Sequence, residues 1–160
     1  ASQVHLLNEF DGSAQACEGI EQVLREAIQG ASAEVFDLAR GAQGRHGMGT
    51  TCIALIAATT PNGAVKGIMG HVGDSRCYRL RGGEMELITT DHTLASAGVP
   101  GPMGHQLLRA VGISPPVEVD LILAHPQVGD TFLLCSDGLT KMVDAAVIEV
   151  DSAARKWING

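Results

Sequence analysis

From Ile20 to Leu38 apolar residues recur at steps of three and four. Ile20, Val23, Leu24, Ala27, Ile28, Ala31, Val35 and Leu38 form one stripe, Glu21, Arg25, Glu26 and Glu34 fall off it, and Gly41 stops the pattern. That period predicts a long amphipathic helix. Val4, Leu7 and Phe10 predict a shorter helix before it, ended by Asp11-Gly12. Beyond Gly49 the period changes. Thr51 to Thr60 and Ala64 to Val72 are apolar, β-branched runs flanking Pro61-Asn62-Gly63, which predicts a hairpin. Arg76 to Leu80 and Glu84 to Thr89, around Arg81-Gly82-Gly83, predict a second. Val117 to Ala124 and Thr131 to Cys135, around Gln127-Val128-Gly129-Asp130, predict a third. Between the last two, Asp91 to Ser114 contains Gly98, Pro100, Gly101, Pro102 and Gly104, so it reads as an irregular flap with a short helix at His105 to Val111. A closing helix is expected from Asp144, with Val147, Ile148, Ala154 and Trp157 as core candidates. Helices, successive hairpins and a final helix favour an α+β architecture of antiparallel sheet covered by helices.

Composition narrows the function classes. The 160 residues are 45% hydrophobic and 18% charged, a balance that suits one folded domain over residues 1–160. Eleven Lys plus Arg against eighteen Asp plus Glu give a net charge of −7, and no basic run exceeds two residues, so nucleic acid is not an expected partner. The longest apolar stretch, around Cys52 to Ala58, falls far short of the roughly 18 residues that span a bilayer, and no basic leader precedes it. Cys17, Cys52, Cys77 and Cys135 form no C-x-x-C pair and read as small buried thiols. A cytoplasmic chain with no membrane partner is the resulting expectation.

Three short signatures end apolar runs: Gly47-Met48-Gly49-Thr50-Thr51, His71-Val72-Gly73-Asp74-Ser75-Arg76 and Cys135-Ser136-Asp137-Gly138-Leu139. A carboxylate at a strand end beside glycine is open and rigidly held, which suits a hard divalent cation. Alone, each is a turn signal. Gly73-Asp74-Ser75 superficially resembles an esterase nucleophile block, but no His follows His125 to complete that machinery. Ser136 or Cys135 as nucleophile lacks an evident base. Structural hydrogen bonding is the expected role of His71 and His92, and Asp91, Asp120, Asp130 and Asp144 read as solvated turn carboxylates.

In order and spacing, Met48-Gly49-Thr50-Thr51, Gly73-Asp74-Ser75-Arg76, Thr90-Asp91-His92, Leu107-Leu108-Arg109-Ala110-Val111-Gly112 and Leu134-Cys135-Ser136-Asp137-Gly138-Leu139-Thr140 resemble the metal-dependent protein phosphatases of type 2C. Leu24 to Arg40 is similar to that family's second helix. The resemblance implies an antiparallel β-sandwich flanked by helices, with a metal cluster at one end. It places Asp137 on a ligand of the metal pair and Asp74 on a ligand near a third metal, with Gly73 and Gly138 as supporting backbone. Mn²⁺ or Mg²⁺ would activate water for attack on a phosphoserine or phosphothreonine protein or a small phosphoester, with no protein nucleophile.

The chain also departs from the family. The family's early arginine and its D-G-x-G-G-H motif would fall before Ala1, no D-N-x-T motif follows Trp157, and Lys141 stands where many members carry an acidic ligand. The sandwich is therefore expected to be incomplete and the metal site reduced. The alternative is an inactive fragment or pseudophosphatase that serves as a binding module. Uncovered strand edges would favour a homodimer.

Overall fold

The computed structural model describes residues 10–41 and 47–143. The predicted helix through Val4 and Leu7 and the closing helix from Asp144 lie outside the described residues. The long amphipathic helix is α1, Ala14–Arg40. Ser13 caps it by accepting the Ala16 N–H at 3.1 Å, and Asp11 accepts the Ser13 N–H at 2.8 Å, so Asp11-Gly12 introduces this helix. Its buried seam runs through Cys17, Ile20, Leu24, Ile28, Ser32 and Ala39. Leu38, placed on the stripe by the sequence, is 61% exposed because the seam has rotated past it by the last turns.

Six strands follow: β1 Cys52–Thr59, β2 Val65–Val72, β3 Arg76–Arg81, β4 Glu84–Leu87, β5 Asp120–Ala124 and β6 Thr131–Cys135. They build two three-stranded antiparallel sheets, ordered β1-β2-β5 and β4-β3-β6. The first hairpin pairs Cys52 with Val72 through Thr59 with Val65. The second turns on Gly82 and Gly83, whose φ values of +60° and +95° suit a two-residue hairpin turn. The third predicted hairpin does not form. β5 pairs with β2 and β6 pairs with β3, so the segment between them crosses from one sheet to the other. Arg81 fixes that crossing by donating to both carboxylate oxygens of Asp130 at 2.7 Å and to the His125 carbonyl at 2.9 Å.

Ile68, Gly70 and Val72 face α1: Ile68 packs with Ile20 and Leu24, Val72 packs with Ile28, and a Cβ at Gly70 would stand 2.7 Å from Ile28 Cδ1. By strand alternation Met69 and His71 face the other way, where both are 0% exposed. Val117 and Val119 join the core around Ile28 and Val111, each buried Val contributing about 1.5–3 kcal/mol.

The predicted helix at His105 to Val111 is absent. Leu107 bridges to Thr93 and Val111 to Thr50, so the backbone groups a helix would use are committed to neighbouring strands and turns. A six-residue helix, α2, Asp137–Met142, follows β6 directly and has no counterpart among the predicted elements.

Candidate metal and phosphate site

Asp74 lies in the turn between β2 and β3. Gly73, with φ +107°, gives that turn its left-handed step, and a Cβ there would stand 2.5 Å from Thr51 Cγ2. Thr51 and Ser75 share a hydroxyl–hydroxyl hydrogen bond of 2.8 Å. Beyond the turn, Arg76 donates to both oxygens of Asp91 at 2.9 and 2.6 Å, and this pairing with the Tyr78 hydroxyl raises the guanidinium pKa. The motifs that are far apart in sequence thus bond to one another: Thr51 to Ser75, Arg76 to Asp91, and Thr50 to Val111.

Asp137 opens α2 directly after β6. The β3–β6 ladder ends at Arg76 opposite Cys135, so the turn that holds Asp74 and the helix that starts at Asp137 adjoin the strand pair at the same end. The two acidic residues assigned from sequence are therefore brought to the same end of the same strand pair. Lys141, one turn along α2, hydrogen-bonds the Asp137 carboxylate, and that bond is the main reason the Asp137 carboxyl sits below its ordinary range. The Lys141 ammonium is raised chiefly by Asp137, with a smaller contribution from the charge of Asp74. A cation, the Lys141 ammonium, is already held on the Asp137 carboxylate. Gly73 has the structural need the sequence assigned to it, whereas Gly138 is exposed and a Cβ there would meet only Ser136 Oγ at 3.5 Å. Gly138 contributes through its N–H, which supports the negative charge of Asp137.

Deeper in the fold, His71, His92 and Asp120 bring three ligand-type atoms within 4.8 Å of one another. His92 Nδ1 accepts the Gly73 N–H at 3.1 Å, so its proton lies on Nε2, which donates to Asp120 Oδ2 at 3.0 Å. Arg109 donates to the other Asp120 oxygen at 2.7 Å. Burial pushes the Asp120 carboxyl up, but the His92 and Arg109 hydrogen bonds and charges bring it below its ordinary value. With both His92 nitrogens committed, this trio is a hydrogen-bonded network and not a ready metal site. His71 is buried, which pushes its pKa down, and its Nε2–H donates to the Ser75 carbonyl at 2.7 Å. The structural role expected for both histidines is what the geometry gives.

Asp91, Asp120 and Asp130 are not solvated turn carboxylates: each is paired with an arginine, Arg76, Arg109 and Arg81 respectively. Asp144 lies outside the described residues. The signal missed is that Arg76 and Arg109 sit inside the motifs themselves and need partners. Burial raises the Cys135 thiol, opposite to what an activated nucleophile requires. Among the described residues no helix is long and apolar enough to cross a membrane.

No family model matches the chain. It is 37% identical over 143 residues to the serine/threonine phosphatase stp of Listeria innocua, covering 82% of this chain and 55% of that protein. It is 36% identical over 115 residues to the serine/threonine protein phosphatase PstP of Mycobacterium tuberculosis, covering 64% of this chain and 21% of that protein. The solved structure of the S. agalactiae serine/threonine phosphatase superposes with a TM-score of 0.72 at 28% identity, over 89% of this chain and 64% of that one. The chain spans about half the length, 55%, of the Listeria relatives it matches.

Proposed function

We propose that this chain, a member of the metal-dependent protein phosphatases of type 2C, hydrolyses phosphoserine and phosphothreonine esters of proteins, with Asp74 and Asp137 holding Mn²⁺ or Mg²⁺. The observation that supports this reading is that the turn holding Asp74 and the helix starting at Asp137 adjoin the β3–β6 pair at the same end, with the Lys141 ammonium on the Asp137 carboxylate. A divalent ion bound there supplies Lewis-acid stabilisation and lowers the pKa of water for attack at phosphorus. The chain's own residues do the positioning. Gly73 sets the turn that presents Asp74, Thr51 and Ser75 tie it to the start of β1, and the Gly138 N–H holds negative charge on Asp137. Asp137 begins α2, with only Ser136 between it and the end of β6.

The phosphatase names of its relatives favour hydrolysis over the binding-module alternative. We place the chain in the cytoplasm, a reducing compartment that suits its four free cysteines. Self-association into a homodimer is supported by the edge strands of both sheets, where Leu87, Leu123 and Leu134 are 44%, 41% and 39% exposed. The test is release of inorganic phosphate from a phosphothreonine peptide, with Mn²⁺ or with excess EDTA. Release only with the metal is expected, and equal release in EDTA would refute the metal-dependent reading.

A further inference from the structure

The turn Gly73-Asp74-Ser75 is gripped at both ends by histidines from different parts of the chain. Gly73 and His92 exchange two hydrogen bonds: the His92 backbone N–H donates to the Gly73 carbonyl at 2.9 Å, and the Gly73 N–H donates to His92 Nδ1 at 3.1 Å. At the far end His71 Nε2 donates to the Ser75 carbonyl at 2.7 Å. The two imidazoles lie side by side, 4.8 Å between centroids, and are 0% and 7% exposed. Behind His92 stand Asp120 and Arg109, which hold the ring in the tautomer that accepts from Gly73. Asp74 is the one residue of the turn left between the two grips.

We propose that His71 and His92 are positioning residues that fix the direction of the Asp74 carboxylate through the backbone of Gly73 and Ser75, and so set the affinity of the site for a divalent cation. This rests on the reading of Asp74 as a metal ligand. His92 acts through Nδ1, the ring atom nearest its backbone, and His71 acts through Nε2, the ring atom farthest from it. Asparagine offers an oxygen near the first place and glutamine an amide N–H near the second. His92→Asn and His71→Gln therefore retain the grips, whereas His92→Gln leaves the buried Gly73 N–H without its acceptor, a lasting defect in the turn.

The experiment counts free Mn²⁺ by electron paramagnetic resonance during titration of the full chain, and follows exchange of the Gly73 amide in the same variants. Asp74→Asn is expected to weaken binding at least about tenfold. His92→Asn and His71→Gln should stay within about twofold of the unaltered chain with a slow Gly73 amide. His92→Gln should lose at least about tenfold and exchange fast at Gly73. Unchanged binding in Asp74→Asn removes Asp74 as a ligand and the effect on affinity with it. Full loss in Asp74→Asn beside normal binding in His92→Gln overturns the histidine grip alone. Should His92→Gln not fold, the same weakening in folded His92→Asn overturns it as well.

Discussion

Lys141 holds the carboxylate of Asp137 across one turn of α2, and its ammonium also lies in the field of Asp74. A resident cation competes with any metal for the same oxygens. Removing its charge with Lys141→Gln is expected to tighten Mn²⁺ binding roughly tenfold, an effect moderated by solvent because the pair is exposed. The unaltered chain should bind with a Kd on the order of millimolar or weaker, because two protein carboxylates make a sparse ligand set. Calorimetry on the two chains checks both statements, and two tight sites in the unaltered chain would contradict them.

Gly73 and Gly63 both have positive φ, +107° and +83°, yet only Gly73 has a neighbour in the space of its absent side chain. Gly73→Ala should therefore cost roughly 2–4 kcal/mol, combining the left-handed penalty with contact against Thr51. Gly63→Ala should cost about 1 kcal/mol. Urea unfolding midpoints of the two variants test the difference, and equal losses would refute the steric role given to Thr51.

Asp130 carries an acid-sensitive contribution to stability. The Arg81 hydrogen bonds hold its carboxyl down to about 2, below the ordinary 3.8, in a side chain that is 2% exposed. A lowered folded-state pKa stabilises above the unfolded value, and the stabilisation is lost as pH falls through the folded one. The chain should therefore weaken between about pH 4 and pH 2. Asp130→Asn should be less stable at pH 7 and show a shallower loss across that window, as followed by urea midpoint against pH. An unchanged slope would show that Asp130 does not carry the effect.

The elements legible in the sequence are those whose signal is local. The stripe from Ile20 to Val35 and the turns Pro61-Asn62-Gly63 and Gly82-Gly83 specify α1 and two hairpins within one short window. The third hairpin failed because Asp120–Ala124 and Thr131–Cys135 each meet the requirement for a strand but take partners in different sheets, a choice made by long-range packing. His105 to Val111 has helical spacing, yet its backbone is claimed by Thr50 and Thr93. At the site, motif residues flank Asp74 and Asp137, so their place at the ends of β2 and β6 has a local signal. The grip of His92 on Gly73 joins positions 19 apart and depends on a ring tautomer that no periodicity encodes.

If the exposed strand edges pair between copies, light scattering at high micromolar concentration should give a mass near twice 16.6 kDa. A Leu87→Lys or Leu134→Lys substitution at an edge should shift that mass toward the monomer. A persistent 16.6 kDa species in the unaltered chain would refute the dimer.

The role of Asp137 is tested most directly by the rate of p-nitrophenyl phosphate hydrolysis against Mn²⁺ concentration, in the unaltered chain and in Asp137→Asn. Hydrolysis should rise with Mn²⁺ in the unaltered chain, and fall at least about a hundredfold in Asp137→Asn while the urea midpoint stays close to the original. A fully active Asp137→Asn chain, with the same Mn²⁺ dependence, would contradict the assignment of Asp137 and of the site built around it.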